Sequence, residues 1–450
     1  MANKLFGTDG IRGKANVYPI TPEMALKVGK AIAYVFGATG HGETKAVIGK
    51  DTRLSGYMLE AALTSGLVSM GMDAIGVGPM PTPAVAHLTK SFNASCGIMI
   101  TASHNPAEDN GIKVFGADGF KLPDAVEAQI EAHILGDEAS WMQAERPPIG
   151  KAHRLDDARG RYIEFAKASV KNCSLKGLKI VLDCANGAAY SIAPLIFQEL
   201  GAEVIPISTH PDGLNINDNC GALHPECAAA LVKEHRADVG ITFDGDADRV
   251  IFIDANGKEV NGDRILGMCA LDMQKRGQLA QNTLVVTSMS NLGLLKAMKA
   301  AGIHVEITAV GDRYVIECMR EHGYNIGGEQ SGHLIFMDYV TTGDGIITAL
   351  HVLKHMVSSG KPLADLTSFM TEYPQVIKSI KVKEKKPFDQ LPALSKVIAE
   401  CQQNLGDRGR TVVRYSGTEN KIRLLVEAES EIMVNDWVSK LTDVVNRELC

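Results

Sequence analysis

The chain has 450 residues, of which 45% are hydrophobic and 22% charged, a composition typical of a folded protein with several domains. A net charge of −7 argues against nucleic acid or an anionic membrane as partner, since both attract basic surfaces. The nine cysteines include no C-x-x-C pair, which disfavours a disulfide scaffold or a structural zinc site. The N-terminus lacks an apolar signal-peptide core, and no apolar run is long enough to span a bilayer. We therefore expect a cytoplasmic protein.

Three stretches of the chain follow one plan, in which a β-branched strand leads through a turn into a helix and then a second strand. This alternation is typical of α/β domains. The first strands are predicted at 46–51, 178–183 and 284–287, and the second strands at 74–77, 204–207 and 304–307.

Each stretch then continues into a segment that carries a polar cluster. The clusters are TASHNP at 101–106, DGDADR at 244–249 and GEQSGH at 328–333. Loops beyond strand ends are where α/β sheets bind ligands. Three related domains would therefore offer three loops to one cleft.

Domain boundaries are predicted from linker-like composition. The segment 146–150 resembles a linker that closes the first domain, and 372–374 resembles the start of a smaller fourth domain. The lysine-rich run at 381–386 is predicted to be a solvated face. The predicted domains are 1–150, 151–255, 256–371 and 372–450.

Asp244, Asp246 and Asp248 occupy alternate positions at the end of an apolar run. Three carboxylates so close together repel one another unless a cation neutralises them, and oxygen ligands suit a hard ion such as Mg²⁺. A solvated acidic turn is the alternative. A calcium-binding EF-hand is disfavoured, because Arg249 stands where that loop needs glycine and Ala255 where it needs glutamate.

Ser103 follows the apolar run 98–100 and should lie in a loop at a strand end. Most loop serines are solvated or cap a turn. Beside a metal loop, however, a serine oxygen can accept and return a phosphoryl group. Turn signals on both sides of 112–115 predict a hairpin that places Lys113 near Ser103.

The C-terminal loop combines arginines, hydroxyls and a glycine, which are the groups that a phosphate pocket requires. An ordinary turn with exposed arginines is the alternative. No phosphate-binding loop of the nucleotide-hydrolase type is present, which disfavours a nucleotide-driven kinase. The candidate phosphate ligands are Arg414, Ser416, Gly417, Thr418 and Arg423.

In this order, the motifs TASHNP, DGDADR, GEQSGH and RYSGTE resemble those of the α-D-phosphohexomutase superfamily over essentially the whole chain. The opening GTDGIRG and the Gln330 form of the third motif resemble its bacterial phosphoglucosamine mutase branch. The resemblance implies an α/β fold: three related α/β domains with mixed sheets, plus a smaller C-terminal α+β domain, around a central cleft.

The resemblance also implies a reaction. Ser103 would be carried as phosphoserine, and one Mg²⁺ per chain would be held by Asp244, Asp246, Asp248 and an oxygen of the Ser103 phosphate. Glucosamine 6-phosphate and glucosamine 1-phosphate would interconvert through glucosamine 1,6-bisphosphate, supplying amino-sugar nucleotide precursors for cell-wall synthesis. The expected partner is a small phosphosugar; whether the chain forms a homodimer is left open.

The remaining roles follow from the same resemblance. Glu329 and Ser331 would contact sugar hydroxyls, and Arg313 lies in a segment that the family places near the sugar. Asn420 and Tyr415 depart from the usual form of the phosphate loop and put its rigidity in doubt. The candidates for proton transfer or charge stabilisation are Arg12, His104, Lys113 and His333, with a slight preference for Lys113.

Three rival functions remain at this stage. A phosphoglucomutase or phosphomannomutase would share all of the chemistry. A haloacid-dehalogenase-like phosphatase would use Asp244 as nucleophile, but that motif usually opens its fold, and here 243 residues precede it. A sugar-phosphate-binding regulator would keep the phosphate loop without needing Ser103 or the three aspartates.

Overall fold

The structure is a computed structural model that describes residues 5–7, 9–37, 44–137, 149–416 and 420–449. Their contacts divide the chain into two compact units. The first comprises Met1–Met289 and Ile303–Thr367, and the second comprises Ser290–Gly302 and Ser368–Cys450. No helix among the described ranges is both long and apolar enough to cross a membrane.

The first unit opens with a mixed six-stranded sheet, in the strand order β1-β5-β4-β2-β3-β6. Strands β4, β2, β3 and β6 are parallel, and β5 runs antiparallel between β4 and β1. The elements are β1 Ile11–Lys14, α1 Pro22–Gly37, β2 Lys45–Lys50, α2 Ser55–Ser69, β3 Asp73–Pro79, α3 Thr82–Ser91, β4 Cys96–Ile100, β5 Asp109–Gly116, α4 Asp124–Leu135 and β6 Ala152–Arg154.

A second sheet of five strands follows in the same unit, in the order β11-β10-β9-β7-β8. Its strands β9, β7 and β8 are parallel and fully or partly buried, whereas β10 and β11 form an antiparallel edge. The elements are α5 Ala158–Ser169, β7 Lys179–Asp183, α6 Ala193–Glu199, β8 Glu203–Ile207, α7 Glu226–His235, β9 Val239–Phe243, β10 Val250–Asp254 and β11 Glu259–Val260.

The third sheet completes the first unit, with four strands in the order β13-β12-β14-β15. Strands β13, β12 and β14 are parallel and β15 is antiparallel to β14. The elements are α8 Gly262–Lys275, β12 Thr283–Thr287, β13 His304–Thr308, α10 Asp312–His322, β14 Ile326–Gly328, β15 Leu334–Phe336, α11 Gly345–Ser359 and α12 Leu363–Leu366.

The second unit is an antiparallel three-stranded sheet in the order β16-β18-β17, with two long helices. The helices pack their apolar residues, Leu394 and Leu441 among them, on buried β18 residues such as Leu424 and Val426. This unit also includes the helix α9, which follows β12 in the chain. The elements are α9 Leu292–Ala300, β16 Gln375–Lys381, α13 Pro392–Leu405, β17 Gly409–Tyr415, β18 Lys421–Ala428 and α14 Glu431–Leu449.

The predicted architecture is confirmed, with three α/β parts that have mixed sheets and a smaller α+β part. All six strands named from the three repeated stretches are present within one or two residues of their predicted ends. The hairpin around Lys113 is also present, since β5 pairs antiparallel with β4 and Lys113 faces Met99 in the register.

The sheets extend past two of the predicted domain boundaries. Strand β6 joins the first sheet beyond residue 150, and β11 joins the second sheet beyond residue 255. Residues 146–148 of the predicted linker lie outside the described residues. In the lysine-rich run, 383–385 are exposed as predicted, but Lys385 Nζ donates to the carbonyl of Ser416 at 2.6 Å.

Candidate active site

Two of the three clusters predicted in the first unit meet at the carboxyl ends of strands. Ser103 comes shortly after β4, and Asp244 comes directly after β9. The two side chains touch, because Ser103 Oγ donates to Asp244 Oδ2 at 2.7 Å. The third cluster joins them through His333, whose Nδ1 lies 3.6 Å from Asp248 Oδ1.

Ser103 is buried, with 1% of its surface exposed, and its φ of 52° lies in the left-handed region. A residue other than glycine adopts the left-handed conformation at a cost in free energy. The conformation is retained only where neighbouring contacts fix the backbone. One restraint is local: the Ser103 N–H donates to Thr101 Oγ1 at 2.9 Å, and that hydroxyl donates to Asp51 Oδ2 at 2.6 Å.

Arg53 provides the main support for the serine loop. Its guanidinium is fully buried, pairs with Asp51 at 2.8 Å, and donates to the carbonyls of Ser103 at 3.0 Å and Asn105 at 2.8 Å. From the second sheet, Asn217 Nδ2 donates to the same Ser103 carbonyl at 2.9 Å. A buried cation satisfied by several acceptors is costly to displace, so the loop is held in one position.

The aspartate loop can approach the serine loop closely because residue 245 is glycine. A Cβ atom on Gly245 would stand 2.5 Å from the Ser103 carbonyl oxygen. The Asp246 end of the loop is fixed to helix α3, since Thr82 N–H donates to the Asp246 carbonyl at 2.9 Å and Thr82 Oγ1 donates to Asp246 Oδ2 at 2.5 Å.

The three aspartates are buried and can each present one carboxylate oxygen within 4.8 Å of the others. Two carboxylate oxygens of this group, Asp246 Oδ1 and Asp248 Oδ1, have no hydrogen-bond partner among the described residues. Burial and the carboxylates of Asp248 and Asp246 raise the pKa of Asp244 well above its usual range. Unpartnered buried carboxylate oxygens fit a hard divalent cation, so these residues could hold a metal ion.

Lys113 lies among these carboxylates. Its Nζ is 2.9 Å from Asp246, 3.3 Å from Asp248 and 3.1 Å from Asp9. Burial acts to lower the pKa of Lys113, but the three carboxylates outweigh it and hold this pKa well above the usual range. Lys113 therefore remains a cation at neutral pH in the absence of a metal.

The pKa of His104 is shifted in the opposite direction to that of Lys113. Its Nδ1 accepts from the Arg249 guanidinium at 2.8 Å and lies 3.3 Å from Ser103 Oγ. Burial, followed by the nearby charges of Arg249 and Arg12, lowers the pKa of His104 to about 4. The imidazole is therefore neutral at neutral pH.

The remaining predicted proton-transfer candidates border the same cluster. Arg12 forms an ion pair with Asp9, which in turn pairs with Lys113. The ring of His333 fits because residue 343 is glycine, whose N–H donates to His333 Nε2 at 3.1 Å. The site thus brings all four candidates into one connected network.

The predicted sugar-binding residues differ in exposure and in whether their side chains already have partners. Glu329 Oε1 accepts from Gly311 N–H at 3.1 Å, and Ser331 is exposed. Arg313 does not point to open space: its guanidinium pairs with Asp124 and, at 2.9 Å, with Glu127 of helix α4. These contacts join helix α10 to helix α4.

The predicted phosphate loop lies in the second unit. Arg414 and Arg423 face each other across β17 and β18, and burial, with the charge of Arg423, lowers the pKa of Arg414. Ser416 is buried, and its N–H donates to the Lys421 carbonyl at 2.8 Å. The other two predicted ligands, Gly417 and Thr418, lie outside the described residues.

Tyr415, one of the two departures from the family pattern, is anchored. Its ring stacks on Phe388 with centroids 5.3 Å apart, and its hydroxyl donates to the Lys386 carbonyl at 2.7 Å. The strand therefore enters the phosphate loop from a fixed position.

Several residues of the site had no signal in the sequence analysis. Arg53, Thr82 and Asn217 act through contacts 50 or more residues away in the chain, which no local pattern reveals. Asp9 could have been found, because it lies in the opening glycine-rich segment beside Arg12. Lys385 was part of the run interpreted only as a solvated face.

Four family models for phosphoglucomutase/phosphomannomutase match the chain. Domain I matches residues 3–140, domain II 160–257, domain III 261–373 and the C-terminal domain 378–444. The chain belongs to this family, the α-D-phosphohexomutases. The aspartate loop thus lies in the second domain of a mutase, and not at the start of a haloacid-dehalogenase fold.

Curated relatives specify the branch. The phosphoglucosamine mutase of Syntrophotalea carbinolica is 52% identical over 100% of this chain and 98% of its own, and that of Geotalea daltonii 53% identical over 99% and 98%. These relatives confirm the predicted phosphoglucosamine mutase branch and an enzyme of the isomerase class.

Solved structures have the same fold. A phosphoglucomutase/phosphomannomutase family protein of Burkholderia thailandensis matches with a TM-score of 0.82 at 24% identity, over 99% of this chain and 98% of that one. The N-acetylphosphoglucosamine mutase of Aspergillus fumigatus, in complex with GlcNAc-6P and magnesium, matches with a TM-score of 0.67 at 19% identity, over 98% and 95%.

Thr82→Val tests the support of the aspartate loop. We expect affinity for a divalent metal ion to fall by about tenfold, because the Asp246 carboxylate loses a hydrogen bond that orients it. Thr89→Val is the matched control: Thr89 is buried in the same helix, but its hydroxyl donates to its own backbone at Val85. Calorimetric titration of both variants with Mg²⁺ measures the effect; equal affinities would contradict this role for Thr82.

Proposed function

We propose that the chain interconverts glucosamine 6-phosphate and glucosamine 1-phosphate, with Ser103 as the carrier of the phosphoryl group. The observation that supports this most directly is the 2.7 Å contact between Ser103 Oγ and Asp244, within a buried group of three carboxylates. A hydroxyl in that position is next to the charge that a transferring phosphoryl group needs neutralised. The relatives named phosphoglucosamine mutase supply the substrate class.

The metal in this proposal is one Mg²⁺ per chain. Asp244, Asp246 and Asp248 would hold it, together with an oxygen of the Ser103 phosphate. The donor set is entirely oxygen, which suits Mg²⁺, and the A. fumigatus relative has magnesium in its solved complex. When bound, the ion would neutralise charge on the phosphoryl oxygens.

The proposed reaction moves two phosphoryl groups. The bond between Ser103 Oγ and phosphorus breaks as the sugar O1 forms a bond to the same phosphorus, giving glucosamine 1,6-bisphosphate. The bisphosphate reorients in the site, and its 6-phosphoryl group is transferred to Ser103 Oγ as the bond to O6 breaks. The proton released by the sugar hydroxyl in the first transfer is returned to the O6 oxygen in the second, so the reaction is balanced without a further reactant.

The protonation states divide the candidate residues by role. Lys113 is held as a cation among Asp9, Asp246 and Asp248, which favours charge stabilisation over proton acceptance. His104 is neutral, but its Nδ1, 3.3 Å from Ser103 Oγ, already accepts a hydrogen bond from Arg249, and a pKa of about 4 makes it a weak base, which favours orienting the serine oxygen over proton transfer. These protonation states therefore support neither Lys113 nor His104 as the proton-transfer group.

The second unit would bind the phosphate that is not reacting. Arg414, Ser416 and Arg423, with Gly417 and Thr418, offer guanidinium and hydroxyl donors of the kind that hold phosphate. Lys385 adds support because it fixes the Ser416 carbonyl. Binding at this distance from the reacting bond would orient the sugar.

In this proposal the enzyme acts in the cytoplasm on a small phosphosugar and supplies precursors of amino-sugar nucleotides. Glu329 and Ser331 would face the sugar hydroxyls. Arg313 would act there indirectly, because its ion pairs with Asp124 and Glu127 position the segment that carries Asp312.

Ser103→Ala is expected to lose at least about three orders of magnitude in turnover, or roughly 4 kcal/mol of barrier, since the acceptor oxygen is removed. Intact-protein mass spectrometry should find one stable phosphate on the wild-type chain and none on the variant. Ser65→Ala serves as the control, because that serine is exposed, donates to the Ala61 carbonyl of its own helix and should not carry phosphate. Near-normal turnover of Ser103→Ala would contradict the mechanism.

Arg414→Ala is expected to lower catalytic efficiency with the phosphosugar by at least about tenfold while leaving the phosphate on Ser103 detectable, because a charged hydrogen bond contributes about 1.5–3 kcal/mol. Arg408→Ala is the matched control, since Arg408 is exposed in the same unit and donates only to a backbone carbonyl of Asn404. Steady-state kinetics on both variants decide the role, and unchanged efficiency in Arg414→Ala rejects it.

Glucosamine 1-phosphate should be preferred over glucose 1-phosphate in direct competition. One polar contact at the C2 substituent typically contributes about 1–3 kcal/mol of discrimination, so glucose phosphate should be a poor substrate and not an excluded one. Assaying both esters with the same enzyme measures the ratio of catalytic efficiencies. Equal or better use of the glucose ester would favour the phosphoglucomutase or phosphomannomutase alternative, without changing the chemistry at Ser103.

A further inference from the structure

A cavity in the first unit is lined by none of the residues assigned to the candidate active site. Its volume is about 400 Å³, within the range of small-ligand pockets. The C-terminal end of α8, the middle of α11 and the segment after β15 form its walls, and Lys171 contributes from beyond the end of α5. The cavity therefore joins parts of two domains.

The carboxylates in its wall already have partners. Asp272 pairs with Arg276 and, at 3.1 Å, with His355 Nδ1. Asp338 accepts a hydrogen bond from Asn325 Nδ2 at 2.8 Å. Neither carboxylate lies within ion-pair distance of Lys171 or Lys354, the remaining cations of the wall, among the described residues.

Those cations are Lys171 and Lys354, and neither forms an ion pair with a carboxylate in the described part of the chain. Burial lowers the pKa of Lys354, and the positive charges of Arg276 and Lys171 lower it further. Cations that repel one another across a cavity create a positive potential, which favours an anionic ligand.

The wall also has an aromatic side with one unused polar atom. His351 stacks on Phe336 at 4.8 Å and lies 4.9 Å from the Tyr339 ring, centroid to centroid. Burial lowers the pKa of His351 to about 4, so its ring is neutral. Its Nε2 is buried without a hydrogen-bond partner among the described residues, which is uncommon in native structures.

We propose that this cavity binds the phosphomonoester group of a small metabolite, with Lys171 and Lys354 as its charged ligands and Tyr339 beside its organic part. The wall has three cations, Lys171, Arg276 and Lys354, against the two carboxylates, so its net charge of +1 favours an anionic group, and the cavity is large enough for a phosphate with a few attached carbon atoms. The site goes beyond the proposed reaction, since no residue assigned to that reaction lines it.

The location gives such a ligand a connection to the active site. Helix α11 supplies His351, Lys354 and His355 to the cavity wall, and it begins at Gly345, whose N–H donates to the Ala247 carbonyl at 3.0 Å. Ala247 lies between two of the metal-binding aspartates. One helix thus contacts both the cavity and the aspartate loop.

The test compares three forms of the full chain, all of which carry Arg414→Ala. The first has no further change, the second adds Lys171→Gln and Lys354→Gln, and the third, a control, adds Lys275→Gln and Lys361→Gln. The control removes the same charge from exposed lysines that do not line the cavity. Each form is titrated calorimetrically with orthophosphate and with phenyl phosphate, in the Arg414→Ala background so that the phosphate loop contributes less. Unfolding midpoints verify that all forms are folded.

We expect the wild-type and control lysine sets to bind phenyl phosphate at one site at least as tightly as orthophosphate. The Lys171→Gln and Lys354→Gln form should bind it at least about tenfold more weakly, as expected when charged ligands are lost. Equal affinity and stoichiometry in all three forms would overturn the site. Binding of orthophosphate alone would overturn its assignment to a phosphorylated metabolite.

Discussion

Asp244, Asp246 and Asp248 are buried within 4.8 Å of one another, and much of the first unit is arranged around the repulsion between them. Carboxylates removed from water at this spacing cannot all ionise without nearby positive charge. Lys113 and Arg249 provide part of that charge from the first and second sheets. The oxygens that remain without hydrogen bonds show where the compensation is incomplete, which is where a divalent cation fits.

The serine must be held against this group, although its own backbone conformation is unfavourable. Arg53 and Asn217 hold the Ser103 carbonyl from two different sheets, and Gly245 allows the two loops to touch. These contacts pull the serine loop and the aspartate loop together from opposite sides. A chain without Arg53 would leave the buried Asp51 carboxylate without its ion-pair partner, which typically costs about 3–5 kcal/mol.

Much of this could be predicted from the sequence, for identifiable reasons. Strand ends followed by polar clusters place Ser103 and Asp244 correctly, because buried β-branched runs and the loops after them are local features. The partner of Arg313 could not be predicted in this way. Its contacts with Asp124 and Glu127 join residues about 190 positions apart, and only the tertiary approach of helix α10 to helix α4 brings them together.

The same limit explains the different protonation states of Lys113 and His104. Both are predicted near Ser103, and the sequence alone does not distinguish a cation held by carboxylates from a neutral imidazole. The distinction arises from neighbours: three carboxylates surround Lys113, whereas His104 faces Arg249. Protonation state therefore depends on tertiary contacts even where position follows from the motif.

The charges of the site also bear on the order in which the proposed groups bind. Three buried carboxylates meet here, and burial together with the repulsion from Asp248 and Asp246 raises the pKa of Asp244 well above its usual range. A divalent cation would add two positive charges to this group. A phosphate on Ser103 would bring about −1.5 to −2 at neutral pH. Metal and phosphate would therefore each stabilise the other, and a phosphorylated Ser103 would bind the cation more tightly than the free hydroxyl does.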